Sequence, residues 1–168
     1  LASKELHQAM DYIECKLSAS DVVIDRAKIE KAIELIERYF SFKLLDWELF
    51  VLALIHCYRQ TTDTVVFDEF FLLMGRGNGK NGFISAVAWY QTTQYHGIKG
   101  YNVDIIANNE EQAMTSFDDV FTMLEDTWSK SRKFFYKNRQ QIVNLKTRSY
   151  IKYNTSNAKT KDGKRSAC

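Results

Sequence analysis

The stretch Phe70-Phe71-Leu72-Leu73-Met74-Gly75-Arg76-Gly77-Asn78-Gly79-Lys80-Asn81 turns abruptly from apolar residues to glycines and one lysine. A helix-like segment, Phe83 to Tyr95, follows it. The order predicts a buried strand that breaks into a glycine-rich turn and opens a helix. Glycines let the backbone approach an anion, successive N–H groups point at it, and the helix N-terminus adds partial positive charge. Lys80 offers a point charge to the outer phosphates of a nucleotide. A glycine cluster after an apolar run is a plain turn in many proteins; the flanking elements turn the balance toward a nucleotide site.

The remaining pattern agrees. Leu6, Met10, Ile13 and Leu17 recur at helical spacing, so residues 4–17 read as an amphipathic helix. Ser18 to Asp25 is a break. Ile29, Ala32, Ile33, Ile36, Tyr39 and Phe40 mark a second helix. Asp46 caps a third, with Trp47, Phe50, Val51, Leu54 and Ile55 on its apolar face. These three helices carry no obvious chemistry and read as packing elements. Beyond the glycine loop, Ser85 to Tyr95 is apolar on more than one face and ends before Gly97 and Gly100. Tyr101 to Ala107 reads as a short buried strand. Asn108 with Glu111 signals the start of a helix that runs to about Asp126. Strand, loop, helix, strand, helix is the βαβ order of a parallel sheet. Gln140–Leu145 and Tyr150–Asn154 then read as a β-hairpin.

No apolar stretch approaches the roughly 20 residues of a membrane span, and no signal-peptide pattern opens the chain. Cys15, Cys57 and Cys168 are odd in number and scattered, which predicts reduced thiols. His7, His56 and His96 have no zinc-like spacing to them or to one another. Charge is divided unevenly. Residues 1–129 hold 11 Lys/Arg against 20 Asp/Glu, whereas residues 130–168 hold 12 against the single acid Asp162. Phe134, Phe135, Tyr136, Tyr150 and Tyr153 interleave that basic stretch. Basic and aromatic residues together suit a nucleic-acid-binding module, and equally a solvated edge hairpin protected by lysines.

The usual phosphate loop runs Gly, four residues, then Gly-Lys-Ser/Thr. Gly79 and Lys80 fit. Met74 stands at the first glycine position with Gly75 beside it, and Asn81 replaces the hydroxyl that ordinarily ligates Mg²⁺. Asparagine offers a carbonyl oxygen for direct or water-mediated ligation of that hard cation. Arg76 suits either the γ-phosphate and its transition-state charge, or a surface ion pair.

The run Met74 to Asn81 resembles the deviant Walker A loop of tailed-bacteriophage terminase large subunits, with an arginine inside the loop. Leu45-Asp46-Trp47-Glu48 resembles the family's upstream adenine-contacting Leu-x-Trp-Gln segment. Ala107 to Ala113 resembles its strand ending in Ala before a helix that opens with Gln-Ala. Asn154 to Ala158 with Lys161 to Lys164 resembles the approach to the Walker B strand. The resemblance implies an α/β, P-loop NTPase-like parallel sheet with flanking helices over residues 44–168. A helical segment, 1–43, would precede it, and the sheet would be incomplete at the C-terminus.

It further implies an ATP- and Mg²⁺-dependent motor that moves double-stranded DNA into a procapsid in the cytoplasm of an infected bacterium. A portal ring, a small terminase subunit and further copies in a ring are the implied partners. Nucleotide contacts are implied for Gly75, Arg76, Gly77, Asn78, Gly79, Lys80, Asn81, Trp47, Glu48 and Gln112. Lys80 and Arg76 would be catalytic and Asn81 the metal ligand. Glu48 departs from the family's Gln: a carboxylate accepts from adenine N6 but cannot donate to N7. The Asp-Glu pair that holds Mg²⁺ and activates water is expected after Cys168, together with the nuclease domain. These expectations describe an N-terminal fragment.

Overall fold

The computed structural model describes residues 3–155. The chain divides into two compact units, residues 1–30 with 45–73 and residues 31–44 with 74–168.

The first unit holds three helical stretches and a small sheet. Helix α1, Lys4–Leu17, is capped by Ser3, whose side chain accepts from Leu6 N–H at 3.2 Å. Its apolar stripe is covered only in part: no residue is fully buried, Ile13 and Leu17 are half-buried, and Leu6 and Met10 remain exposed. Strand β1, Val22–Ile24, lies within the expected break. Helix α2, Arg26–Tyr39, opens against the Asp25 carboxylate, which accepts from Lys28 N–H at 3.0 Å. Its first turns belong to this unit and the remainder to the second. Helix α3, Asp46–Ile55, buries Val51, Leu52 and Leu54, while Phe50 is left exposed. Strands β2, Cys57–Arg59, and β3, Thr64–Val65, complete an antiparallel sheet ordered β1-β2-β3. Asp21 anchors it by accepting from Arg59 at 3.0 Å and from the Thr61 hydroxyl at 2.8 Å.

The apolar run before the loop corrects the sequence expectation. Residues 67–75 form no regular element, and Phe71 and Leu73 are 91% and 85% exposed. A strand needs a neighbour for its N–H and C=O groups, and no described strand pairs with this run.

The second unit is helices on a mixed sheet. Helix α4, Lys80–Thr92, is buried along nearly its whole length, including Phe83, Ala86, Trp89 and Tyr90. It ends five residues before Gly97. Strand β4, Val103–Ala107, precedes α5, Glu110–Asp126, which Asn109 rather than Asn108 caps by accepting from Gln112 N–H at 2.8 Å. Ala113, Phe117, Val120 and Leu124 form the buried seam of α5. Truncating Phe117 to alanine would cost about 3–5 kcal/mol. The short helix α6, Trp128–Ser131, leads into β5, Phe135–Lys137, which lacked enough residues to be read as a strand. Strands β6, Gln141–Asn144, and β7, Tyr150–Thr155, form the expected hairpin. The sheet order is β4-β7-β6-β5, with β4 and β7 parallel and the other pairs antiparallel. The two parallel strands therefore sit side by side although 42 residues of chain, including α5, separate them.

The described part of the basic stretch uses its aromatics internally. Lys137 Nζ lies 3.5 Å from the Phe121 ring centre and pairs with Glu125 at 3.0 Å. Lys146 lies over Phe134 and Lys152 over Tyr150. Residues 156–168, with most of the stretch likened to the Walker B approach, lie outside the described residues.

Candidate functional site

Two left-handed glycines shape the loop. Gly77 has φ +83° and Gly79, the N-cap of α4, has φ +75°, a region L-residues with a Cβ rarely occupy. Asn78 folds its side-chain amide back to the Gly75 carbonyl at 3.4 Å. The first helical bond runs from Phe83 N–H to the Gly79 carbonyl at 3.0 Å. The N–H groups of Lys80, Asn81 and Gly82 thus occupy the first turn of α4, where no intrahelical acceptor exists. Gly75 to Gly79 and Asn81 are exposed, and Lys80 is half-buried.

Neither Arg76 nor Lys80 has a carboxylate within ion-pair distance among the described residues. Two cations thus lie on an exposed loop at a helix N-terminus, neither of them paired to a carboxylate among the described residues. That arrangement fits a phosphate chain. The fit to a divalent cation is thinner. Asn81 supplies one hard side-chain oxygen at the loop, and no group of three His, Cys, Asp or Glu among the described residues is arranged to hold a metal.

What holds the loop's helix in place was not singled out in the sequence. Ser85 is fully buried, and its Oγ lies 2.7 Å from the Asn81 carbonyl and 2.8 Å from Asp119 Oδ2 on α5. One hydroxyl proton serves both acceptors. The contact also places the two helix starts. Gly79 lies six residues before Ser85 and Glu110 nine before Asp119, so at 1.5 Å per residue α4 begins about 9 Å and α5 about 14 Å from this contact. At its other end, α4 presents the Thr92 carbonyl to the Thr147 hydroxyl at 2.7 Å, beside the start of β7. The loop and exposed Gln112 consequently share the end of the sheet where the parallel strands finish. A serine inside the apolar, largely buried stretch 83–90 was the available signal; Asp119, 34 residues away, gave none.

Trp47 and Glu48 belong to the first unit, and Gly75 to Asn81 with Gln112 to the second. Glu48 is 2% exposed, and its Oε2 accepts from Leu45 N–H at 2.8 Å, closing the first turn of α3. Burial pushes its carboxyl pKa up, and the Leu45 hydrogen bond opposes that. A depression of about 470 Å³ on the early turns of α5, lined by Glu110, Glu111, Met114, Thr115 and Asp118, contains no loop residue.

The family described as "Terminase large subunit, ATPase domain" matches residues 46–168. The large terminase of bacteriophage HK97, in its crystal structure, is similar with a TM-score of 0.67 and 18% sequence identity. The match covers 82% of this chain and 29% of that one, and a likeness at this identity carries the fold alone. No curated protein matches the chain.

Proposed function

The chain belongs to the terminase large subunit ATPase family, and we propose that Gly75–Asn81 holds the phosphates of ATP in a motor that translocates duplex DNA into a procapsid. The observation that carries the reading is the pairing of left-handed Gly77 and Gly79 with the open first turn of α4 and two cations that have no carboxylate partner among the described residues. Lys80 neutralises the outer phosphates, and Arg76 reaches the γ-phosphate, where its charge is worth most as negative charge redistributes. Asn81 contributes an oxygen to Mg²⁺, directly or through water. Gln112 is assigned to the nucleotide's neighbourhood. ATP supplies the phosphoanhydride bond whose cleavage drives movement. The portal ring, the small terminase subunit and sister copies are the proposed partners.

Hydrolysis by these 168 residues alone is expected to be negligible, because no described strand ends in an Asp-Glu pair. Binding is the test that this chain permits. Calorimetric titration with Mg-ATP is expected to give weak binding that Lys80→Ala lowers about tenfold, the loss of one charge-assisted contact of ~1.4 kcal/mol. Equal affinities for the two proteins would remove the loop assignment.

A further inference from the structure

We propose that the end of the four-stranded sheet opposite the glycine loop is a docking surface for the phosphate backbone of duplex DNA, built on Lys99, Lys133, Lys146 and Arg148. A cavity of about 300 Å³ at this end is lined by Gln94, Gly97, Ile98, Lys99, Lys146 and Thr147, none of them acidic. Lys99, Lys146 and Arg148 are exposed. Lys133 is exposed and adjoins Phe134, whose carbonyl accepts from Leu145 N–H at 2.7 Å and whose ring lies beneath the Lys146 ammonium at 5.0 Å. Among the described residues none of these cations is ion-paired to a carboxylate, and Lys146 is engaged by the Phe134 ring alone.

The cations are set on rigid turns. Asn144 Oδ1 accepts from the N–H groups of Lys146 and Thr147 at 2.9 and 3.2 Å. Thr147 ties the turn to the end of α4, and its carbonyl accepts from Gly100 N–H at 2.8 Å. Across that bond, buried His96 stacks edge-on against Tyr101 with ring centres 4.5 Å apart, holding the segment that carries Lys99. Gly97 and Gly100 leave the floor low, and a Cβ added at Gly100 would meet nothing within 4 Å. A polymer backbone can therefore come close.

This surface is separate from the nucleotide loop. Helix α4 runs between them, and its 13 residues span about 20 Å. An anion bound here is therefore not the nucleotide's phosphate chain, and the inference stands whether or not the loop binds ATP. Duplex DNA fits better than an acidic protein face. It carries one charge per about 1.7 Å of axis, so several pre-positioned point cations meet phosphates at once without specific pairing.

The test is fluorescence anisotropy of a labelled 30-base-pair duplex of mixed sequence with the full 168-residue chain, across about 50–200 mM salt. The triple variant Lys99→Gln/Lys146→Gln/Arg148→Gln is expected to bind about tenfold or more weakly, with a salt slope shallower by roughly two to three. Removing equal charge elsewhere, in Lys4→Gln/Arg26→Gln/Arg38→Gln, is expected to have a much smaller effect. An equal loss in both triples overturns the surface, as does unchanged affinity in the first. In the unmutated chain, bound DNA is expected to protect Lys99 and Lys146 from acetylation; no protection also overturns it. Displacement of DNA by polyglutamate as effective, charge for charge, as by unlabelled duplex would replace DNA with an acidic protein. Lys80→Ala is expected to leave DNA affinity intact, which keeps this result distinct from the nucleotide test. DNA affinity lost with Lys80 would move the contact to the loop and sink the proposal.

Discussion

Glu48 is a carboxylate where burial and capping pull in opposite directions. Near the N-terminus of α3 its negative charge gains about 0.3–1 kcal/mol from the helix dipole, but at 2% exposure it loses water, and its pKa rises from the ordinary glutamate value of 4.5. The folded state then holds a proton that the unfolded chain has released. Stability is fully present below the unfolded value and falls as pH rises through the raised folded value. Glu48→Gln keeps an oxygen for Leu45 N–H and removes the buried charge. Thermal melts from pH 4.5 to 8 are expected to show the variant more stable at neutral pH and less pH-dependent than its parent. A lower midpoint at pH 7 would mean the helix dipole wins. His56 contributes the opposite slope in both proteins, since burial lowers its pKa and its stabilisation is lost as pH falls below the ordinary histidine range. Comparing the pair isolates Glu48. Gly77 poses a purely conformational question. Its φ is +83° and a Cβ there would touch nothing within 4 Å, so Gly77→Ala is expected to cost about 1 kcal/mol through backbone strain alone. Gly77→Asn, which tolerates that region better, should recover part of it in urea titrations.

Helix α4 depends on α5 through one hydroxyl. Ser85→Ala deletes the buried donor that serves Asn81 and Asp119 and is expected to lower stability by about 1–2 kcal/mol. Asp119→Asn retains an acceptor oxygen and should cost less than about 0.5 kcal/mol. A double-mutant cycle between Ser85→Ala and Asp119→Ala is expected to give a coupling near 1 kcal/mol; full additivity would show that the helices do not communicate through this contact. The same helices show what a sequence can reveal. Helices α1, α2, α3 and α5 repeat an apolar face over ten to seventeen residues, enough turns for the period to stand out. Strands β1, β2, β3 and β5 hold two or three residues each, too few for alternation, and their existence is decided by partners elsewhere in the chain. The glycine loop was legible because left-handed backbone needs glycine. Lys99 was not, because only the fold brings it beside Lys146.

At the scale of the molecule, the run Phe70 to Met74 reads as core, yet Phe71 and Leu73 stand in water while Leu72 and Met74 are half-buried. Hydrophobicity selected it, but burial in a sheet also requires a strand to accept its backbone, and no described strand does. Burying Phe71 and Leu73 would stabilise the protein by about 1.5–3 kcal/mol each. Left at 91% and 85% exposure, they contribute little to the fold and offer an apolar surface for association. The double variant Phe71→Ser/Leu73→Ser is therefore expected to keep its unfolding free energy within about 0.5 kcal/mol of the parent. Light scattering should show less self-association at the same concentration. If urea titration instead gives a loss of about 3 kcal/mol or more, the run is buried in solution, as a strand or against another copy. Concentration dependence then separates the two. A loss that fades on dilution belongs to the contact between copies, and one that persists belongs to a strand within the chain.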